Sequence, residues 1–123
     1  MEDNKKDYLI EYDTFVDTFK NQQVSGEEVG VLIMRMTNHF AKINLQLAEA
    51  LRAYSSCVAT FQNSKDENTG KQLSAAKAES LAAATVEAGA YNTLKAHVQN
   101  LEQIINSLKA LQKGIMFEYS SAI

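Results

Sequence analysis

At 123 residues the chain is long enough for one domain with a hydrophobic core, and we predict a single helical domain over residues 1–123. Proline is absent and only five glycines occur, so little interrupts long helices and an all-α fold is predicted. No apolar run approaches the roughly 18 residues of a membrane span, and the first residues lack a signal-peptide segment. We therefore expect a soluble cytoplasmic protein that does not bind membranes.

The formal net charge of −3 is unevenly distributed along the chain. Residues 1–30 carry eight acidic and three basic side chains, whereas residues 31–123 carry seven acidic and nine basic ones. The single cysteine, Cys57, excludes an internal disulfide, and its place on an apolar stripe predicts a buried, reduced thiol.

The first predicted helix spans residues 7–22 and has an aromatic face. Tyr8, Tyr12, Phe15 and Phe19 recur at helical spacing, and acidic residues occupy the opposite face. The rings could form a ligand-stacking surface, but packing in the core or against a partner is the preferred interpretation. A helix this short is marginal in water on its own, so we expect it to dock on the rest of the protein or on a partner.

The second predicted helix spans residues 26–63. Ser25 and Glu28 form a capping box at its start, in which each residue satisfies a backbone amide of the other. From residue 33 to residue 61 apolar side chains alternate at steps of three and four, which is typical of a helix that packs along its whole length. The members of this stripe taken as core or oligomer seam are Ile33, Met36, Phe40, Ile43, Leu47 and Tyr54.

Residues 64–71 are polar and include Gly70, so they are predicted to form a turn before a third helix over residues 72–117. Small residues in the alanine-rich segment 75–90 would let helices approach closely. The seam of the third helix consists of Leu94, Val98, Leu101, Ile105 and Leu108.

The two long helices are predicted to form an antiparallel hairpin, because short turns join antiparallel neighbours. Folding about residue 67 would place position n near position 134 minus n, with Ala84 near Ala50. The end of the third helix would then meet the aromatic helix, with Ile115 near Phe19. Two helices bury only a narrow seam, so we expect the wide apolar stripes to be covered by oligomerisation.

Catalytic and metal-binding patterns are absent from the sequence. His39 and His97 could approach each other in the hairpin, but no third and fourth ligand accompanies them. No phosphate-binding loop, nucleophile elbow or cysteine–histidine arrangement is found. We therefore predict a non-enzymatic protein without a metal or another cofactor.

Basic residues along the long helices raise the possibility of nucleic-acid binding. The candidates for phosphate contacts are Arg35, Lys42, Arg52, Lys77 and Lys95. Glutamates interleave with the basic residues, however, and mixed charge on an exposed helix face usually serves solubility alone.

The third helix, SAAKAESLAAATVEAGAYNTLKAHVQNLEQIINSLKALQKGI, resembles the C-terminal helix of UvsY-like phage recombination mediators. The order of a short helix, a long helix, a charged turn and a second long helix also resembles that family. The resemblance implies a ring-forming accessory protein that binds single-stranded DNA and helps a recombinase to load. The family's binding surface is basic, whereas this chain is acidic overall.

Two functions therefore compete at the level of sequence. The first is a self-associating, phage-type recombination accessory that binds single-stranded DNA. The alternative is a coiled-coil structural or adaptor protein that binds another protein through Tyr8, Tyr12, Phe15 and Phe19 of the acidic first helix.

Overall fold

The computed structural model describes residues 6–121, which form four α-helices and no strand. The helices are α1 (Asp7–Asn21), α2 (Gly26–Gln62), α3 (Ala75–Ala83) and α4 (Val86–Ser121). The predicted all-α class is confirmed. Residues 1–5 and 122–123 of the predicted domain lie outside the described residues.

The chain divides into two compact units. The terminal unit comprises Met1–Phe40 and Leu101–Ile123, and the central unit comprises Ala41–Asn100. Helix α1 belongs to the terminal unit and α3 to the central unit, whereas α2 and α4 contribute to both. That residues 1–123 form one domain stays a prediction.

Helix α2 begins with the predicted capping box. The Glu28 amide donates to Ser25 Oγ at 3.1 Å, and the Ser25 amide donates to Glu28 Oε1 at 3.3 Å. Two amides that the first turn leaves without helical partners are thereby satisfied. The helix then runs without a break for 37 residues, close to the predicted range of 26–63.

The loop after α2 is the predicted polar turn, held by its own hydrogen bonds. The Asp66 amide donates to the Lys71 carbonyl at 2.6 Å, and the Gly70 amide donates to the Asp66 carbonyl at 2.8 Å. Gly70 has a φ of +69°, a left-handed conformation that glycine adopts without a steric penalty. Asp66 Oδ1 also accepts the Asn68 amide at 2.8 Å, so one aspartate organises the loop.

The prediction of one continuous third helix over residues 72–117 is wrong, because the chain breaks between α3 and α4. Thr85 is the cause: its hydroxyl donates to the Ala82 carbonyl at 2.6 Å and accepts the Ala88 amide at 3.3 Å. A threonine hydroxyl that bonds nearby backbone groups competes with helical hydrogen bonds and caps a new helix. The start of α3 is also later than predicted, since Ser74 caps it through the Lys77 amide.

The core of the terminal unit is shared by α1, α2 and α4. The four largest fully buried side chains of the described residues all belong to this unit: Tyr8, Val29, Met36 and Leu101. Within the unit α2 and α4 run antiparallel, as predicted. Gly26 at the start of α2 accepts a hydrogen bond from Gln112 near the end of α4, whereas Thr37 further along α2 shares a small pocket with Glu102.

The core of the central unit is built mainly from small side chains. Ala78, Ala82 and Ala88 are at most 2 % exposed, and Ile43 and Val98 are the larger buried residues. Three of the eight alanines of residues 75–90 are thus buried, and the close approach of helices expected there stays a prediction. Burying alanine removes less apolar surface than burying a larger residue, so each of these contacts contributes less hydrophobic stabilisation.

The predicted pairing of positions about residue 67 is wrong in the central unit. It would place position 80 opposite Tyr54, but the ring of Tyr54 stacks on that of Tyr91, with centroids 5.7 Å apart and planes 4° from parallel. The reason is that residues 75–83 form the separate helix α3. At Tyr54, helix α2 therefore packs against α4, which follows α3 in the chain.

The predicted seam residues all lie on the inward sides of their helices, at two levels of burial. Five of them are buried, namely Met36, Ile43, Val98, Leu101 and Leu108. The other six are half-buried, namely Ile33, Phe40, Leu47, Tyr54, Leu94 and Ile105. The five buried residues belong to the core, whereas the role of the seam in an oligomer stays a prediction.

Replacing Ser25 by alanine should lower the free energy of unfolding by about 1 kcal/mol, because the Glu28 amide loses its capping acceptor. Urea denaturation followed by circular dichroism measures the change. Ser55→Ala, at an exposed position inside α2, is the matched control. It should be neutral or stabilising by up to about 0.5 kcal/mol, since alanine is the better helix former. Equal destabilisation by both changes would contradict the capping assignment.

Candidate functional site

The aromatic face of α1 is mostly turned into the terminal unit. Tyr8 is fully buried, Tyr12 and Phe15 are half-buried, and Phe19 at the end of the helix is 44 % exposed. The rings of Phe15 and Phe19 stack with centroids 6.3 Å apart. The assignment of Tyr8 to partner docking is corrected by this burial, because its ring is enclosed by the folded chain. Of these four rings, that of Phe19 is the one classed as exposed.

Glu11 connects α1 to two residues of α2. Its Oε1 accepts a hydrogen bond from an Arg35 guanidinium nitrogen at 2.8 Å, and its Oε2 lies 3.1 Å from His39 Nε2. The Arg35 hydrogen bond lowers the pKa of Glu11, partial burial opposes the shift, and His39 lowers the pKa further. The ring of His39 also lies 6.4 Å from that of Tyr8. This cluster orients α1 on α2 beside the buried tyrosine.

The lowered pKa of Glu11 predicts a loss of stability in acid. A carboxyl group with a lower pKa in the folded state stabilises the fold above its unfolded pKa, near 4.5, and loses that effect as the pH falls through the folded value. Glu11→Gln should therefore cost about 0.5–1 kcal/mol at pH 7, and progressively less below about pH 4.5. Urea unfolding at pH 7, 5 and 3 measures the difference from the unmodified protein.

The control for this prediction is Asp17→Asn, which removes an exposed carboxylate of the same helix. Within the described residues Asp17 takes part in no ion pair. Its substitution should leave the unfolding free energy at pH 7 nearly unchanged. A difference between Glu11→Gln and the unmodified protein that is equally large at pH 3 and pH 7 would show that the carboxylate charge is not the cause.

The five candidate phosphate contacts are all exposed, but several already have partners. Arg35 is in the terminal unit and pairs with Glu11. Lys77 in the central unit lies 3.3 Å from Asp66 Oδ2, and Lys95 lies over the ring of Tyr91, 6.0 Å from its centroid. Among residues 6–118 no ion pair involves the other two candidates, Lys42 and Arg52.

The two units differ in charge. The terminal unit carries ten acidic and six basic side chains, a net charge of −4, whereas the central unit carries five acidic and six basic ones, a net charge of +1. An anion such as a phosphate group is therefore better accommodated by the central unit, and a cation by the terminal unit.

The terminal unit contains a cleft. It has a volume of about 1080 Å³ and is lined by the end of α1, the connection to α2 and the last turns of α4. Phe19 and Ile115 both line it, whereas the contact predicted between the aromatic helix and the end of α4 stays a prediction. Apolar side chains such as Leu111 and Ile115 line it together with polar ones such as Gln22 and Glu118, so it offers a mixed concave surface.

Sequence reasoning missed the close contact between the start of α2 and α4. Gln112 Nε2 donates to the Gly26 carbonyl at 3.0 Å, and a Cβ atom at Gly30 would lie only 2.8 Å from that nitrogen. The absence of a side chain at Gly30 thus leaves room for the glutamine amide. The signal in the sequence is the pair of glycines four residues apart, which occupy one face of a helix.

Three further properties bear on the function. Among the described residues no group of three or more histidine, cysteine, aspartate or glutamate side chains is arranged to hold a metal ion. Cys57 is half-buried rather than buried, and partial burial, followed by the Glu87 carboxylate, raises the pKa of its thiol. None of the helices in residues 6–121 has both the length and the apolar character needed to cross a bilayer.

The fold and these surfaces define an all-α protein with one acidic and one nearly neutral unit. No family model, curated protein or solved structure matches the chain.

Proposed function

We propose that the protein acts by assembly rather than by catalysis, as a self-associating helical accessory or structural protein. The observation that carries this proposal is the exposure of Val31 and Met34 on α2, at 57 % and 68 %. They lie on the side of the helix opposite the buried Val29, Leu32 and Met36, because side chains three and four apart share a face. The outer face of this part of α2 therefore carries two exposed apolar side chains among polar ones.

Other exposed apolar side chains support the same proposal. Among residues 6–118, six of the ten exposed large hydrophobic side chains belong to the terminal unit, including Met116 and Phe117 near the end of α4. In the central unit Leu45 is 71 % exposed and Val86 is 86 % exposed. Single exposed apolar residues are ordinary, but several along one helix favour burial against a second subunit.

The double variant Val31→Lys/Met34→Lys should reduce self-association. Both side chains are exposed in the single chain, so the fold should be kept, whereas two buried positive charges without partners would oppose an interface at this face. Native mass, measured by light scattering on a sizing column, should fall to that of a smaller species. Circular dichroism checks that the helices remain.

The control is Gln103→Lys/Ser107→Lys, which adds the same charge at exposed positions of α4 in the same unit. It should leave the native mass unchanged. A monomeric unmodified protein would refute the proposal outright. A closed ring of several subunits would support the resemblance to the recombination mediators, and a dimer would favour a structural protein.

A second candidate function, binding of single-stranded DNA, is favoured by the free charges of Lys42 and Arg52. Both are exposed on α2 in the central unit, where basic side chains slightly outnumber acidic ones. Lys95 adds a third exposed ammonium group in that unit. A small number of cations per subunit gains strength when an oligomer repeats them, since affinity for a polyanion grows with the number of phosphates neutralised.

Lys42→Gln/Arg52→Gln should weaken binding of a fluorescent oligothymidine several-fold at low salt and reduce the dependence of log affinity on log salt by about 1–2. Fluorescence anisotropy measures both quantities. Lys20→Gln/Lys113→Gln removes the same charge from the acidic terminal unit and should have little effect. Equal weakening by the two double variants would indicate an effect of net charge alone, and no binding at low salt would exclude this function.

The adaptor alternative retains only part of its predicted surface. With Tyr8 buried and Tyr12 and Phe15 half-buried, a protein partner of α1 would have to engage the Phe19 end of the helix.

A further inference from the structure

The cleft of the terminal unit has the features of a groove that receives a helix. One wall is α4 from Ala110 to Glu118, about 12 Å along the helix axis at 1.5 Å per residue. The opposite side is formed by Phe19 and the connection between α1 and α2. Leu111 and Ile115 are half-buried and add apolar surface. The space therefore suits a helical segment of two to three turns.

Gly114 leaves the α4 wall open at its centre. It lies inside a helix, where glycine is destabilising relative to alanine, and no atom lies within 4 Å of the position that its Cβ would occupy. No packing within the described chain therefore explains the absence of a side chain. Ala110, four residues earlier on the same face, is also small and lines the cleft. Together these residues permit another helix to approach the α4 backbone closely.

The charges around the cleft favour a basic occupant. Glu28 and Glu118 line it, Lys20 is the single basic residue of its lining, and the unit as a whole carries a net charge of −4. Helix α1 ends at Asn21, which lines the cleft, and the last turn of α4 adjoins the cleft. The C-terminal ends of helices carry partial negative charge. The nearby start of α2 is already satisfied by its capping box.

We propose that this cleft binds a basic amphipathic helix of a partner protein. The apolar side of the partner helix would cover Phe19, Leu111 and Ile115 and cross α4 at Gly114, and its lysine or arginine side chains would reach Glu28 and Glu118. Binding of an amphipathic helix in an apolar groove is a recurring mode of protein recognition. The proposal is independent of self-association, which is tested at Val31 and Met34.

The test uses a fluorescein-labelled synthetic peptide of leucine and lysine at helical spacing, about four turns long. Anisotropy should show saturable binding to the full chain. A peptide in which glutamate replaces lysine should not bind, and one of the same composition in scrambled order should bind at least about tenfold more weakly. Absence of binding by the first peptide, or equal binding of all three, would overturn the proposal.

Gly114→Leu places a side chain in the middle of the groove and should weaken binding of the first peptide at least about tenfold by steric exclusion. Gly89→Leu is the matched control, because Gly89 is also inside α4 and also has open space at its Cβ position. It should bind the peptide as the unmodified chain does. Both variants should keep their helices and melt no earlier than the unmodified chain, since leucine is the better helix former.

The two glycine variants also test whether a second copy of this chain, rather than a partner helix, occupies the cleft. If Gly114→Leu lowers the native mass while Gly89→Leu does not, the cleft is filled by a second copy of this chain, and the partner-helix proposal is overturned. Undiminished peptide binding by Gly114→Leu would place the peptide elsewhere and would likewise overturn it.

Discussion

The docking of α1 on α2 is the contact on which the terminal unit depends. A 15-residue helix has little stability by itself, so α1 requires the burial of its aromatic face. Tyr8 supplies a fully buried ring, and Glu11 fixes the helix laterally through Arg35 and His39. The same docking turns most of the aromatic stripe inward and leaves Phe19 exposed beside the cleft. The docking of α1 on α2 thus determines which part of α1 remains exposed for binding to a partner.

The two units are stabilised in different ways. The terminal unit buries a tyrosine, a methionine and a leucine completely, whereas the central unit buries mainly alanines and contains a loop held by hydrogen bonds around Asp66. Small side chains bury less apolar area, so the central unit gains less from each contact. Local opening is expected first where buried apolar contacts are fewest, which here is the region around α3.

The distribution of charge separates the surfaces that could carry function. Glu28 and Glu118 line the cleft of the terminal unit, while Lys42 and Arg52, which form no ion pair within residues 6–118, belong to the central unit. An ion pair within the chain reduces the charge that a residue offers to a ligand, as it does for Arg35 and Lys77. A cationic partner and an anionic one would therefore bind to different units.

The sequence by itself determined the helices and their inward faces. The apolar period predicted the buried seam from Met36 to Leu108, and local spacing predicted the Ser25–Glu28 cap and the turn at Gly70, because capping and periodicity involve residues a few positions apart. The break at Thr85 and the later start of α3 escaped; a mid-sequence threonine fits a helix equally well by pattern. In the structure the Thr85 hydroxyl forms hydrogen bonds with the backbone of Ala82 and Ala88, and these bonds end one helix and start the next.

The tertiary structure decided the partners of side chains that are distant in sequence. Glu11 meets Arg35 across 24 positions and Gln112 meets Gly26 across 86, and no local pattern encodes such pairs. It also buried Tyr8 and left Val31 and Met34 exposed, although all three are apolar residues of helices. The physical reason is that periodicity identifies the faces of a helix, whereas the packing of neighbouring helices determines which faces are covered.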